Sequence, residues 1–131
     1  MSIEKKYFLD KAEGVQKAIW DAEFKRFKTR EIREEIRATY DASKNRLVSL
    51  EAEIEKEKAK EKSEILPGME DQRVILERDT ARYLEQMKQL DIEVEGAPQT
   101  NENPEGVQGI NQYLESLREL HSMVLDYAKD K

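Results

Sequence analysis

The sequence predicts an all-α protein, a long N-terminal helix with two shorter helices folded back on it as an antiparallel three-helix bundle or coiled coil. Three observations carry that reading. Between Gly14 and Pro67 the chain runs for 52 residues without a glycine or proline, and Glu, Lys, Arg and Ala, all good helix formers, dominate it. Apolar residues there and in two later segments step by four and three, the signature of one helix face. Charged residues make up 40% of the 131 residues and hydrophobic ones 37%, which leaves narrow seams and little material for a wide core.

The first helix carries its seam through Phe8, Ala12, Val15, Ile19 and Ala22, then Ile36, Tyr40, Ser43, Leu47, Leu50 and Ile54. Between these stretches the same register meets Arg26, Thr29 and Arg33, polar residues where a coiled coil wants leucine. Helix propensity drops at 39–43, so a break near Asp41 is one expectation. The run 55–64, EKEKAKEKSE, has no large side chain and reads as a solvated helical stretch. Ile65-Leu66-Pro67-Gly68 reads as a turn. A second helix is expected over about 69–92, with Leu76, Thr80, Tyr83, Met87, Leu90 and Val94 on its edge. After a polar loop at 96–102, Asn103-Pro104-Glu105 presents an N-cap residue, a proline and an acid in order, predicting the start of a third helix. Its face comprises Val107, Ile110, Leu114, Leu117, His121, Val124 and Ala128, widened by Tyr113, Leu120 and Tyr127, and Gly106 and Gly109 weaken its first turns. The expected organisation is therefore 1–64 as a long coiled-coil helix and 65–131 as a helical hairpin on its C-terminal part.

Length sharpens this expectation. At 1.5 Å per residue the 52-residue stretch spans about 78 Å, and helices of about 25 residues reach only about 37 Å. Either the long helix breaks, or its N-terminal half from Phe8 to Ala22 needs a second copy or a foreign partner; the partner or homodimer is the favoured reading.

Composition excludes whole classes of function. With no cysteine there is no disulfide, thiolate metal site or cysteine nucleophile. The lone histidine, His121, has Arg118 three residues before it where a bundle di-metal site wants Glu, and it reads as a packing residue. Glu51, Glu53, Glu55 and Glu57 alternate by two, which scatters them around a helix. No phosphate loop or nucleophile motif occurs. Neither catalysis nor a cofactor or metal is expected. Net charge is −6: residues 1–65 carry 16 basic and 15 acidic side chains, the remainder 7 and 14. The acidic second half repels phosphates, so nucleic acid is not an expected partner. No apolar run approaches the ~20 residues of a membrane span, and the start lacks the apolar core of a secretory signal; a cytoplasmic location is expected. The sequence ends in an amphipathic helix with little tail, as a piece of a longer protein would.

Two groups of residues stand out as partner-binding candidates. Trp20, Phe24 and Phe27 lie at i, i+4 and i+7 among Lys17, Lys25, Arg26, Lys28 and Arg30, an aromatic stripe with flanking cations suited to a helical groove or a membrane surface, although such stripes commonly serve ordinary helix packing and Asp21, Glu23 and Glu31 among the cations argue against an anionic membrane. The second group sits in Arg78-Asp79-Thr80-Ala81-Arg82-Tyr83-Leu84-Glu85-Gln86-Met87-Lys88-Gln89-Leu90-Asp91, followed by Val107-Gln108-Gly109-Ile110-Asn111-Gln112-Tyr113-Leu114. An Arg and a Gln two turns apart, a Leu-Asp at the helix end and an apolar helix after a polar loop resemble the second and third helices of BAG domains, the three-helix modules of co-chaperones. The resemblance covers 78–127. It implies binding to the nucleotide-binding domain of heat-shock chaperones of the DnaK type and faster ADP release, with Arg78 and Gln86 as contacts and Arg82 and Glu85 beside them. The reading of a different class is a coiled-coil scaffold or assembly subunit acting by homodimerisation or within a larger complex.

Overall fold

A computed structural model describes residues 2–102 and 104–130. The chain forms three helices, α1 (Ile3–Lys58), α2 (Leu66–Glu95) and α3 (Ile110–Lys129). The all-α architecture, with a long first helix and two shorter ones antiparallel to it, is as the sequence predicts. Contacts divide the chain into two units: Met1–Glu31 with Leu90–Lys131, and Ile32–Gln89.

In the first unit α3 runs antiparallel to the N-terminal stretch of α1. Phe8 stacks on Tyr127 at 5.8 Å between ring centroids, Arg118 reaches Glu23 at 3.0 Å, and Arg26 donates to the Asn111 side-chain oxygen at 3.0 Å. Ile19, Ala22, Val94, Ile110 and Leu114 form the buried core, with Val15 and Leu117 against it. This corrects the expected placement of α3 on the C-terminal part of α1. It also removes the need for a foreign cover on the N-terminal seam, since Ala12, Ile19 and Ala22 are already buried within the chain. The mismatch in length leaves no bare seam because α2 and α3 serve different stretches of α1. Arg26, read as an interruption of the seam, is accommodated because a polar residue of α3 meets it.

The second unit pairs 32–58 of α1 with α2, again antiparallel: Ser43 faces Thr80 and Lys58 faces Glu70. Leu50, Ile54 and Met87 are buried there. So are Ser43 and Thr80, whose hydroxyls share a hydrogen bond of 2.7 Å. A buried polar pair is satisfied in one register only, and a slip would strand both hydroxyls in an apolar seam. Ser43→Ala is expected to cost about 1–2 kcal/mol by leaving Thr80 unpaired, whereas Ser43→Ala with Thr80→Val should be near neutral. Urea unfolding of the four proteins of that double-mutant cycle measures the coupling.

α1 does not break near Asp41. The polar residues that lower propensity there find partners compatible with a helix: the Thr39 hydroxyl donates to the Glu35 carbonyl at 3.2 Å, Ser43 bonds Thr80, and Lys44 lies over the Tyr40 ring. Such local bonds bend a helix gently without ending it. The helix stops at Lys58, inside the run expected to stay helical. Glu57 holds Lys60 and Ser63 of the connection; those two hydrogen bonds keep its carboxyl below the ordinary carboxylate range, with the Lys60 charge assisting.

α2 begins earlier than predicted. Pro67 sits in its first turn, where a missing N–H costs no helical bond, and Gly68 continues the helix. Gly14, too, lies inside a helix, and a Cβ added there meets nothing within 4 Å. Gly14→Ala is expected to stabilise the fold by about 0.5–1 kcal/mol through helix propensity, read as a rise in melting temperature.

The start of α3 differs from the prediction. Asn103 lies outside the described residues, Pro104 and Glu105 form a turn, and the helix opens at Ile110 with Gly109 as its N-cap. Upstream, Gly96 and Gly106 adopt positive φ of 78° and 69°, which glycine does without steric cost. They let the loop double back so that Ala97 and Val107 exchange both backbone hydrogen bonds at 2.9 Å. Val107 therefore belongs to a bridge, and Gly106 and Gly109 precede the helix. The Gln112 side chain completes the junction. It accepts from the Gly109 N–H at 2.9 Å and donates to the Glu95 carbonyl at 2.7 Å, satisfying one free group at each helix end.

Candidate partner-binding surfaces

Trp20, Phe24 and Phe27 all belong to α1 in the first unit. They form one stripe on the face turned away from Ile19 and Ala22. Each is about three-fifths exposed, at 61%, 62% and 62%. Ordinary packing would have buried them, so the helix-packing explanation does not hold within the chain. Lys28 lies over the Phe24 ring at 5.8 Å and pairs with Glu31 at 3.5 Å. Lys25 reaches Glu93 at 3.7 Å, and Asp21 and Lys17 are exposed. The stripe is thus apolar along its axis and mixed in charge at its rims. Large aromatics offer the most burial per side chain, and contiguous exposed apolar area marks interaction sites.

The second candidate group lies on α2 within the other unit. Arg78, Arg82, Glu85 and Gln86 are all exposed. Arg82 pairs with Asp79 at 3.6 Å and lies over the Tyr83 ring, and Glu85 accepts from Gln89 at 3.0 Å. Among the described residues no hydrogen bond, ion pair or ring contact engages the side chains of Arg78 or Gln86. α2 runs on past Leu90-Asp91 to Glu95, and the span 78–127 is divided between the two units at Leu90. The aromatic stripe and the α2 residues are therefore two surfaces, one in each unit.

A groove of about 570 Å³ in the first unit, lined by Ala18, Lys25, Glu93, Val107 and Tyr113 among others, lies outside the two surfaces expected from the sequence. Its floor and wall exist because the loop at 96–109 returns to α2. Three of the chain's five glycines fall in that loop, and that clustering was the available signal of a close backbone approach.

His121 is half-buried in the α1-facing side of α3, as expected of a packing residue. Among the described residues no three His, Asp or Glu side chains gather in a geometry able to hold a metal ion, and no helix is long and apolar enough to cross a membrane.

Compared with protein-family models, curated proteins and solved structures, the chain matches none of them.

Proposed function

We propose that this protein is a non-catalytic helical interaction module that binds a protein partner through the stripe Trp20, Phe24 and Phe27. The observation that carries this is the exposure of three consecutive large aromatics on a helix whose opposite face is already buried against α3. The water-facing side of a helix is ordinarily charged and polar. Here it presents area that only association can remove from water. Rims of both charge signs suit another protein better than an anionic membrane or nucleic acid, either of which favours clustered cations. A photo-cross-linking residue placed at Phe24 in the cells that make the protein should yield a discrete protein adduct, and one at exposed Glu61 should not. Absence of any adduct at Phe24 removes this reading.

The exposed, unengaged Arg78 and Gln86 favour a second reading, a BAG-like co-chaperone of a DnaK-type chaperone. Arg can grip a carboxylate bidentately, and two exposed polar residues on one helix, with no hydrogen bond or ion pair to their side chains among the described residues, are available for such a contact. The expected result is binding of the chaperone nucleotide-binding domain, faster ADP release, and loss of both in Arg78→Ala with Gln86→Ala. An unchanged ADP off-rate with the native sequence dismisses it.

A further inference from the structure

We infer that the occupant of the aromatic stripe is a second copy of the same stripe, packed antiparallel about a twofold axis at Phe24. This rests on the reading of the stripe as an interaction surface and commits it to one partner. The charge pattern carries the inference. Lys17 stands seven residues before Phe24 and Glu31 seven after it, two helical turns in each direction and on the same face. In an antiparallel pair centred on Phe24, each Lys17 meets the other copy's Glu31, and the symmetry makes that contact twice. Four residues out, Lys28 meets the other copy's Trp20, where an ammonium over an indole ring is favourable. A parallel pair would instead set Lys17 against Lys17 and Glu31 against Glu31.

The area agrees with a reversible association. Aromatic side chains bury about 150–250 Å² each. At about three-fifths exposure, three of them on each of two copies contribute roughly 600–900 Å². The stems of Gln16, Lys17, Lys28 and Glu31 bring the total near the roughly 1,000–1,200 Å² at the low end of specific interfaces. A concentration-dependent dimer follows, with the core of each copy unchanged.

Sedimentation equilibrium across a wide concentration range tests this on four proteins spanning residues 1–131, each checked for unchanged helicity. The native sequence should dimerise. Phe24→Ser removes the pair of rings at the axis and should weaken dimerisation about 100-fold or more. Lys17→Glu turns two attractive pairs repulsive and should weaken it about tenfold. Lys17→Glu combined with Glu31→Lys restores opposite charges and should recover affinity to within about threefold. A native protein that stays monomeric throughout overturns the self-pairing, while the cross-linking result at Phe24 still decides whether the stripe binds something else. A dimer indifferent to Phe24→Ser overturns both the pairing and the stripe as its surface. A dimer sensitive to Phe24→Ser but without recovery in the charge swap overturns the antiparallel register.

Discussion

Gly109→Ala is expected to destabilise the protein by about 3 kcal/mol or more, at the upper end of overpacking effects. A Cβ at this position would press on the Gly96 nitrogen and lie 2.6 Å from the Val94 carbonyl oxygen and 2.7 Å from the Glu95 carbonyl carbon. All three are backbone atoms, so no rotamer change relieves the clash. The loop must lift off the end of α2, and the Ala97–Val107 bridge and the Gln112 contacts are placed to go with it. The backbone at Gly109, φ −92°, suits alanine well, so the cost is one of space and not of conformation. Urea unfolding followed by circular dichroism measures it, and Gly14→Ala is the matched control: the same added methyl, in open space, should act with the opposite sign. A Gly109→Ala protein as stable as the native one would show that the two helix ends do not need this contact.

Leu114→Ala should cost about 3–5 kcal/mol, the range for a buried leucine whose surroundings cannot collapse into the space. Leu114 is 0% exposed and sits among Ile19, Ala22, Val94 and Ile110. Neighbours on all three helices border it, so a void here is held open by several rigid elements. Against a total stability of about 5–15 kcal/mol for an ordinary domain, that loss alone brings the first unit near unfolding. The check is the urea midpoint at unchanged slope. Leu114→Met, which keeps volume, should cost less than about 1.5 kcal/mol.

The helices and their inward faces were legible because hydrophobic period is local information. Ala12, Ile19, Ala22, Leu50, Ile54, Met87, Val94, Leu114, Val124 and Ala128 lie on the registers read from the sequence, and all are buried. What escaped were decisions made by distant residues. Pro104 and Glu105 carry start signals for a helix, but the local preference loses to the Ala97–Val107 bridge and to the contact between Gly96 and Gly109. The low propensity at 39–43 is overridden by Thr80, which lies 37 residues from Ser43 and offers its hydroxyl a bond inside the helix pair. Which stretch of α1 each short helix covers could not be read from lengths. α3 reaches the N-terminal seam because α2 ends beside it, as the Lys25–Glu93 pair shows. The aromatic stripe was visible as a pattern. Whether it faced inward or outward depended on where α3 docked, and that was not encoded in the stripe itself.

One primary amide, that of Gln112, grips the last turn of α2 with its nitrogen and the first turn of α3 with its oxygen. Fraying at either terminus must therefore release the other, so protons on the two sides of this clasp should exchange with solvent in concert. Gln112→Glu keeps the acceptor and discards the donor, turning a shared hinge pin into a latch fastened on one side.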